Sequence, residues 1–244
     1  MDFIKEKKQA DALRLRVVSY NVKHGKMVSL DMSVLAEDIL SVDPDVVGLQ
    51  EIDIGTDRVE GRDTLRTLAE AAGFEYYRFC SAMDYRGGKY GTAIMSHYPI
   101  CAFEAIALPC EEGLEPRAVG HAVLDIRGTL VDFFNTHLSY ERISAQAMQF
   151  CALGRLIAPC ACWVLTGDFN TGDVSRFAPI GDAVMVNDGR YPTECDNGAS
   201  IDNILADPAW RVAESGMVDS RGHTDHHMLW AELIFEHNSK KGLN

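Results

Sequence analysis

LRLRVVSYNVKHGKMVSLDMSVLAEDILSVDPDVVGLQEID, residues 13–53, sets the fold class. Leu13 to Tyr20 alternates apolar and basic residues, then runs apolar, and predicts a strand. Asp31 is placed to cap a helix reaching about Val42, with Met32, Leu35, Ile39 and Leu40 along one face. Pro44 ends that pattern, and Asp45 to Leu49 predicts a second apolar strand. A strand, a helix and a strand in this order point to a crossover connection and an α/β protein.

The rest of the chain extends that unit. Asp63 to Ala72 predicts a second helix, stopped by Gly73. Phe74–Cys80, Gly91–Ser96, Ile100–Leu108, Ala118–Ile126 and Leu130–Asn135 are short and β-prone. Turn residues such as Arg86-Gly87-Gly88 and Arg127-Gly128 separate them, so an antiparallel meander is expected here. Tyr140 to Leu156 predicts a helix with Pro159 as its stop, and Cys162–Gly167 another strand. Residues 170–195 predict a long loop carrying a short helix. Ser200–Leu205, Trp210–Gly216 and His227–Phe235 are the expected last strands, and His237–Asn244 a frayed tail. No repeat, linker or composition break divides the 244 residues. One domain over 1–244 is expected, with its core at about 13–236.

Composition narrows the function. Apolar residues are 47% and charged residues 24%, which excludes disordered and low-complexity classes. The net charge of −13 disfavours an extended footprint on a nucleic-acid backbone, which needs Lys and Arg against phosphates. Seven cysteines cannot all pair, and none forms a CxxC. Reduced thiols and an N-terminus without an apolar signal core favour the cytoplasm. No apolar run reaches the ~18 residues that a membrane span needs. A monomer is expected.

Chemistry-bearing residues follow the apolar strands: Asn21, Gln50 with Glu51, Asn135 with His137, Asp168 with Asn170, Asp202, and Asp225 with His226. Each alone reads as a turn former or a surface charge. Repeated at six strand ends, they converge in a layered α/β protein into one pocket of carboxylates, imidazoles and amides. Such a set suits phosphoryl chemistry: carboxylate oxygens hold Mg²⁺, and a carboxylate beside an imidazole fixes its tautomer and charge. Attack by water requires no nucleophilic side chain.

The segments SYNVKHG (19–25), VVGLQEID (46–53), YGTAIMSHYPI (90–100), FNTHLS (134–139), LTGDFN (165–170), IDNIL (201–205) and HTDHHML (223–229) occur in this order. Together they resemble the endonuclease/exonuclease/phosphatase superfamily, the deoxyribonuclease-I-like hydrolases. The resemblance implies a four-layer sandwich of two packed mixed β-sheets flanked by helices. It also implies a hydrolase dependent on Mg²⁺, with Mn²⁺ as an alternative, that cuts a P–O bond by in-line attack of water. It places Glu51, Asp225 and Asn21 at the metal. Asp168 positions the water, and Asn170 holds the phosphate. His137 is a phosphate ligand or acid, and Asp202 pairs with His226, which stabilises the pentacovalent state and acts as base or acid. Tyr90, Arg58 and Arg117 join Asn170 as the expected substrate-binding set. His24 and His223 are read as pocket or surface residues, His121 as surface or rim, and His227 as packing against or capping the last strand.

The chain departs from the superfamily at Lys23, where many repair members carry an acid, and at Thr92, Asn203 and Thr224. Basic DNA-gripping insertions are missing from the sequence. The expected substrate is therefore a small or lipid-like phosphodiester or phosphomonoester. A nuclease is the second reading and a non-catalytic binding module the third. Segments 55–63, 83–90, 110–116 and 171–199 are the expected rims of the pocket.

Overall fold

The computed structural model describes residues 12–235, so the expected frayed tail lies outside the described residues. Two six-stranded sheets pack face to face. The first holds β1 (Leu13–Asn21), β2 (Val46–Ile54), β3 (Tyr76–Tyr85), β4 (Gly88–Ser96), β11 (Trp210–Val218) and β12 (Met228–Phe235), in the order β11-β12-β1-β2-β4-β3. The second holds β5 (Ile100–Ala107), β6 (Ala118–Ile126), β7 (Thr129–His137), β8 (Trp163–Asp168), β9 (Val184–Met185) and β10 (Asp202–Ala206), in the order β5-β6-β7-β8-β10-β9. Only β1·β2 and β7·β8 are parallel, so both sheets are mixed.

Side-chain alternation along the strands makes the layers. In β1, Val18 and Tyr20 face helices α1 (Met32–Leu40) and α2 (Thr64–Ala72), whose Leu35, Ile39, Leu65 and Leu68 cover that sheet. Leu15 and Val17 face the other way, onto Phe133, Val164 and Ile204 of the second sheet. Helix α3 (Ile143–Ile157) closes the far side through Phe150 and Leu153 against Phe134 and Leu165. The result is the expected four-layer sandwich.

Two expectations are corrected. The central strands form no single meander: β3 and β4 make a hairpin in the first sheet, while β5–β7 make a meander in the second. The residues between Ser96 and Ile100 carry the chain across, and local β-propensity cannot show that change of sheet. Helix α3 starts at Ile143, not Tyr140, because Ser139 is held in the preceding turn, its N–H donating to Gln149 Oε1 at 2.8 Å.

The same alternation positions the polar residues. Asn21, Asn135 and His137, Thr166 and Asp168, and Asp202 fall on the inter-sheet phase of β1, β7, β8 and β10. They sit at one end, beyond the apolar residues of the same faces. The registers His137↔Asp168 and Asp168↔Asp202 put three of them abreast. The sheet interface is thus apolar at one end and polar at the other. Among the described residues, no helix is long and apolar enough to cross a membrane.

Candidate active site

Asp168 is the centre of the polar end. It is buried, and its Oδ2 accepts from Asn21 Nδ2 at 3.0 Å. The same oxygen lies 3.4 Å from His137 Nε2 and 3.7 Å from His226 Nε2. Its Oδ1 accepts the Asn170 N–H at 3.0 Å. Burial first, then the charge of Asp202, pushes the Asp168 carboxyl up to about 7. His226 Nδ1 is 2.8 Å from Asp202 Oδ2. Burial alone depresses the His226 imidazole, but Asp202 and Asp168 outweigh it and push it up to about 11, so His226 is an imidazolium. His137 has the opposite fate: burial and Arg117 hold it well below its ordinary value, and it stays neutral.

Glu51 reaches this centre through a backbone irregularity. Val47 and Leu49 face the helices, so strict alternation sends residue 51 there too. A bulge between Leu49 and Ile52 opposite β4, with Glu51 at φ 56°, resets the phase so that Ile52 faces the helices instead. Glu51 Oε1 accepts from Asn21 Nδ2 at 3.2 Å, and Oε2 lies 3.6 Å from His24 Nδ1. Burial raises this carboxyl, yet the neighbouring His24 and His137 and the bond from Asn21 bring it down to about 2. Glu51 is therefore a permanently ionised, partly open oxygen donor.

That donor chemistry fits a hard divalent cation. Asp168, Asp202 and His226 also bring ligand-type atoms within 4.8 Å of one another. A cation there would have to displace the proton that the two carboxylates hold on His226. Glu51, with Asn21 beside it, could hold such a cation without displacing a proton.

Asp225 faces the pocket but is ion-paired to Lys23 Nζ. Asn170 has a left-handed backbone (φ 52°), and its Nδ2 donates to Leu138 O at 2.9 Å. Tyr90, Arg117 and His137 line one small cavity with Thr92. Arg117 is buried and ion-pairs with Glu115 Oε1, 3.2 Å from its Nη2, while Nε and Nη1 have no hydrogen-bond partner. Arg58 is not free for substrate: it grips buried Asp53 with two hydrogen bonds, 2.7 and 2.8 Å, and lies over the Tyr90 ring at 5.2 Å. It lies nearer still to the Tyr85 ring, at 4.7 Å.

Sequence reasoning passed over several supports. Asn135, expected with His137 at the pocket or else closing a turn, is a buried staple between the sheets: its Nδ2 donates to Leu49 O and Ala93 O, and its Oδ1 accepts from Gln50 Nε2 and Thr166 Oγ1. Gln146 of α3 donates to Ser139 O and Phe169 O, tying the loops after β7 and β8 together. Buried Asp38 holds the loop before β12 through His223 and Arg221. His24 turns out to be a site residue beside Glu51. His121 pairs with Asp132 away from the centre, and His227 packs at Cys195 and Ser220.

Two mixed sheets with their polar ends converging on an acid–imidazole–acid relay and an ionised glutamate define a phosphoester hydrolase. The chain belongs to the endonuclease/exonuclease/phosphatase family, whose model matches residues 18–226. Its fold is similar to an endonuclease/exonuclease/phosphatase of Beutenbergia cavernae DSM 12333 (TM-score 0.76, 21% identity, 91% of this chain and 72% of that one). It is also similar to the mannosyl-6-phosphatase of Bacteroides thetaiotaomicron VPI-5482 (TM-score 0.73, 18% identity, 91% and 100%). A third likeness is to D. rerio TDP2 complexed with single strand DNA product (TM-score 0.72, 17% identity, 90% and 98%). A search of the curated proteins returned no match.

Proposed function

We propose that this enzyme hydrolyses a phosphomonoester or phosphodiester of a small or lipid-like molecule, with Mg²⁺ or Mn²⁺ held by Glu51 and Asn21. The observation that carries this reading is the relay from Asp202 through His226 to Asp168, beside an ionised Glu51. When bound, the metal supplies positive charge to a phosphate oxygen and to the leaving oxygen.

The residues divide the remaining work. Asp168, once ionised, orients the attacking water and takes its proton. The water oxygen bonds to phosphorus as the bond to the leaving oxygen breaks. His226 presents Nε2–H to the charge that builds on the phosphoryl oxygens, and Asp202 keeps it protonated and aimed. Asn170 and Arg117 hold the phosphate, Arg117 through its unpartnered Nε and Nη1. Neutral His137 steadies Asp168, and Tyr90 walls the pocket.

The basic residues of the rim favour a small substrate over a nucleic acid. Of the six rim cations, Lys23, Arg58, Arg62 and Lys89 are each matched to a carboxylate, on Asp225, Asp53, Glu60 and Asp84, which leaves Lys26 and Arg86. Little uncompensated positive charge remains for a long phosphate backbone. Seven unpaired thiols accord with a reducing, cytoplasmic setting, and the enzyme acts as a monomer in this reading.

The test sets a chromogenic phosphodiester, a chromogenic phosphomonoester and plasmid DNA side by side, with Mg²⁺ or with EDTA. Metal-dependent turnover of a small ester with intact plasmid is expected. Plasmid nicking that Glu51→Gln abolishes, without small-ester turnover, puts the nuclease in its place.

A further inference from the structure

We propose that Lys23 is a built-in cation that withholds Asp225 from the metal, so that the centre takes one divalent ion on its Glu51 side. The inference rests on the metal reading above and concerns a residue that departs from the superfamily pattern.

The placement of Lys23 is built by the backbone. Directly after β1, Lys23, His24 and Gly25 have φ of 43°, 46° and 75°. Left-handed backbone in two successive non-glycine residues is costly and persists only where the surroundings impose it. Here the Lys23 N–H donates to Asn21 Oδ1 at 3.1 Å. The turn sends two neighbouring side chains into one pocket: Lys23 Nζ onto Asp225 Oδ2, and His24 Nδ1 to 3.6 Å from Glu51 Oε2.

The charges explain what the turn achieves. Glu51, Asp225 and Asp196 all attract the Lys23 ammonium. Carboxylates gathered at one pocket repel unless a cation lies among them. A second divalent ion is one solution; an ammonium fixed to the chain is another. The single hydroxyl proton of Thr224 goes to Asn21 O at 3.0 Å, with Asp225 Oδ1 as its longer alternative at 3.3 Å. Oδ2 of Asp225 is thus engaged by the ammonium. An ion binding there must displace the ammonium and then tolerate it as a neighbour of like charge. Glu51 carries no such competitor, since its partners are an amide and an imidazole.

The test is Mn²⁺ binding without substrate, by isothermal titration calorimetry for stoichiometry and affinity. Electron paramagnetic resonance then separates isolated from spin-coupled ions. Circular dichroism confirms that each variant is folded. The wild type is expected to bind one Mn²⁺ with an isolated-ion spectrum. Asp225→Asn should stay within about threefold of wild-type affinity, whereas Glu51→Gln should lose about 10–100-fold, the scale of disturbing a metal's ligand environment. Lys23→Asp should admit a second Mn²⁺ and give a coupled spectrum. Two ions in the wild type, a loss in Asp225→Asn equal to that in Glu51→Gln, or a single ion in Lys23→Asp would each overturn the role of Lys23 and leave the metal centre standing. No binding by the wild type overturns both.

Discussion

At the scale of single residues, the two buried acids beside His226 have different tasks because their neighbours differ. Asp202 sits against an imidazolium at 2.8 Å, while Asp168 faces the pocket with its carboxyl raised to about 7. A base with a raised carboxyl must lose its proton before it can act. We therefore expect kcat/KM for a small ester to climb as pH rises through about 7, and the pH profile of Asp168→Asn to lose that limb along with most of the activity. His226 has its imidazole raised to about 11, so no alkaline limb from it should appear in the neutral range. The same shift has a stability consequence. The folded state keeps a proton that the unfolded chain loses above its ordinary 6.5, so this contribution is complete below 6.5 and falls away as pH rises towards 11. Melting temperatures of the wild type and His226→Gln over that range should converge with rising pH; a constant gap would contradict the raised value. His226→Ala should lower kcat by about 10²–10⁴ with metal binding largely kept. The residue types of this relay were legible in the sequence, because GDFN, IDNIL and TDHH each deliver an acid or imidazole at a strand end. The partners of His24 and Arg58 were not: one joins Glu51 across a left-handed turn, and the other spends its guanidinium on Asp53.

At the scale of elements, the site depends on how closely the two sheets approach and on one break in a strand. Gly48 has no side chain because a Cβ there would lie 2.0 Å from Thr166 Oγ1 and 2.7 Å from Asn135 Oδ1. Gly48→Ala must push apart buried groups that bond each other, and it should cost about 1–3 kcal/mol or more, read as a lowered midpoint in urea unfolding. Asn135→Ala removes the staple and takes its amide away from Leu49 O and Ala93 O, while Gln50 Nε2 keeps Ser19 Oγ and Gly48 O. At ~1–3 kcal/mol for each buried group left unpaired, a loss of roughly 3 kcal/mol or more is expected in the same measurement. Strand and helix identities were largely readable from alternation and caps, as with Asp31 and Asp63, whose side chains accept from Ser33 N–H and Arg66 N–H. Three features escaped: the bulge that turns Glu51 inward, the crossing between β4 and β5, and the length of β7, which carries His137 inside the strand instead of after it. Each depends on pairing with a distant strand, and a local pattern carries no record of its partner.

At the scale of the whole molecule, the decisive quantity is the net charge of −13 set against an anionic substrate. The family fixes phosphoester chemistry, but the field outside the pocket decides which phosphoesters arrive easily. An acidic surface repels a phosphate over the screening distance, and the matched rim residues do little to offset this. Added salt shortens that distance from about 30 Å at 0.01 M to about 8 Å at 0.15 M. For a small anionic ester, kcat/KM should therefore rise over this range, chiefly through KM, once the divalent cation is saturating. A protein that grips a nucleic-acid backbone behaves in the opposite way, because each neutralised phosphate makes binding weaken with salt. The sign of the salt dependence, measured on one monoester and one single-stranded oligonucleotide, thus separates the two readings without knowledge of the natural substrate. A rise for the ester with weak, barely measurable oligonucleotide binding fits an enzyme whose Arg117 and Asn170 recognise one phosphate at a time. A steep fall for the oligonucleotide would mean that unmatched cations such as Lys26 and Arg86 combine into a groove, and the small-substrate reading would then fail.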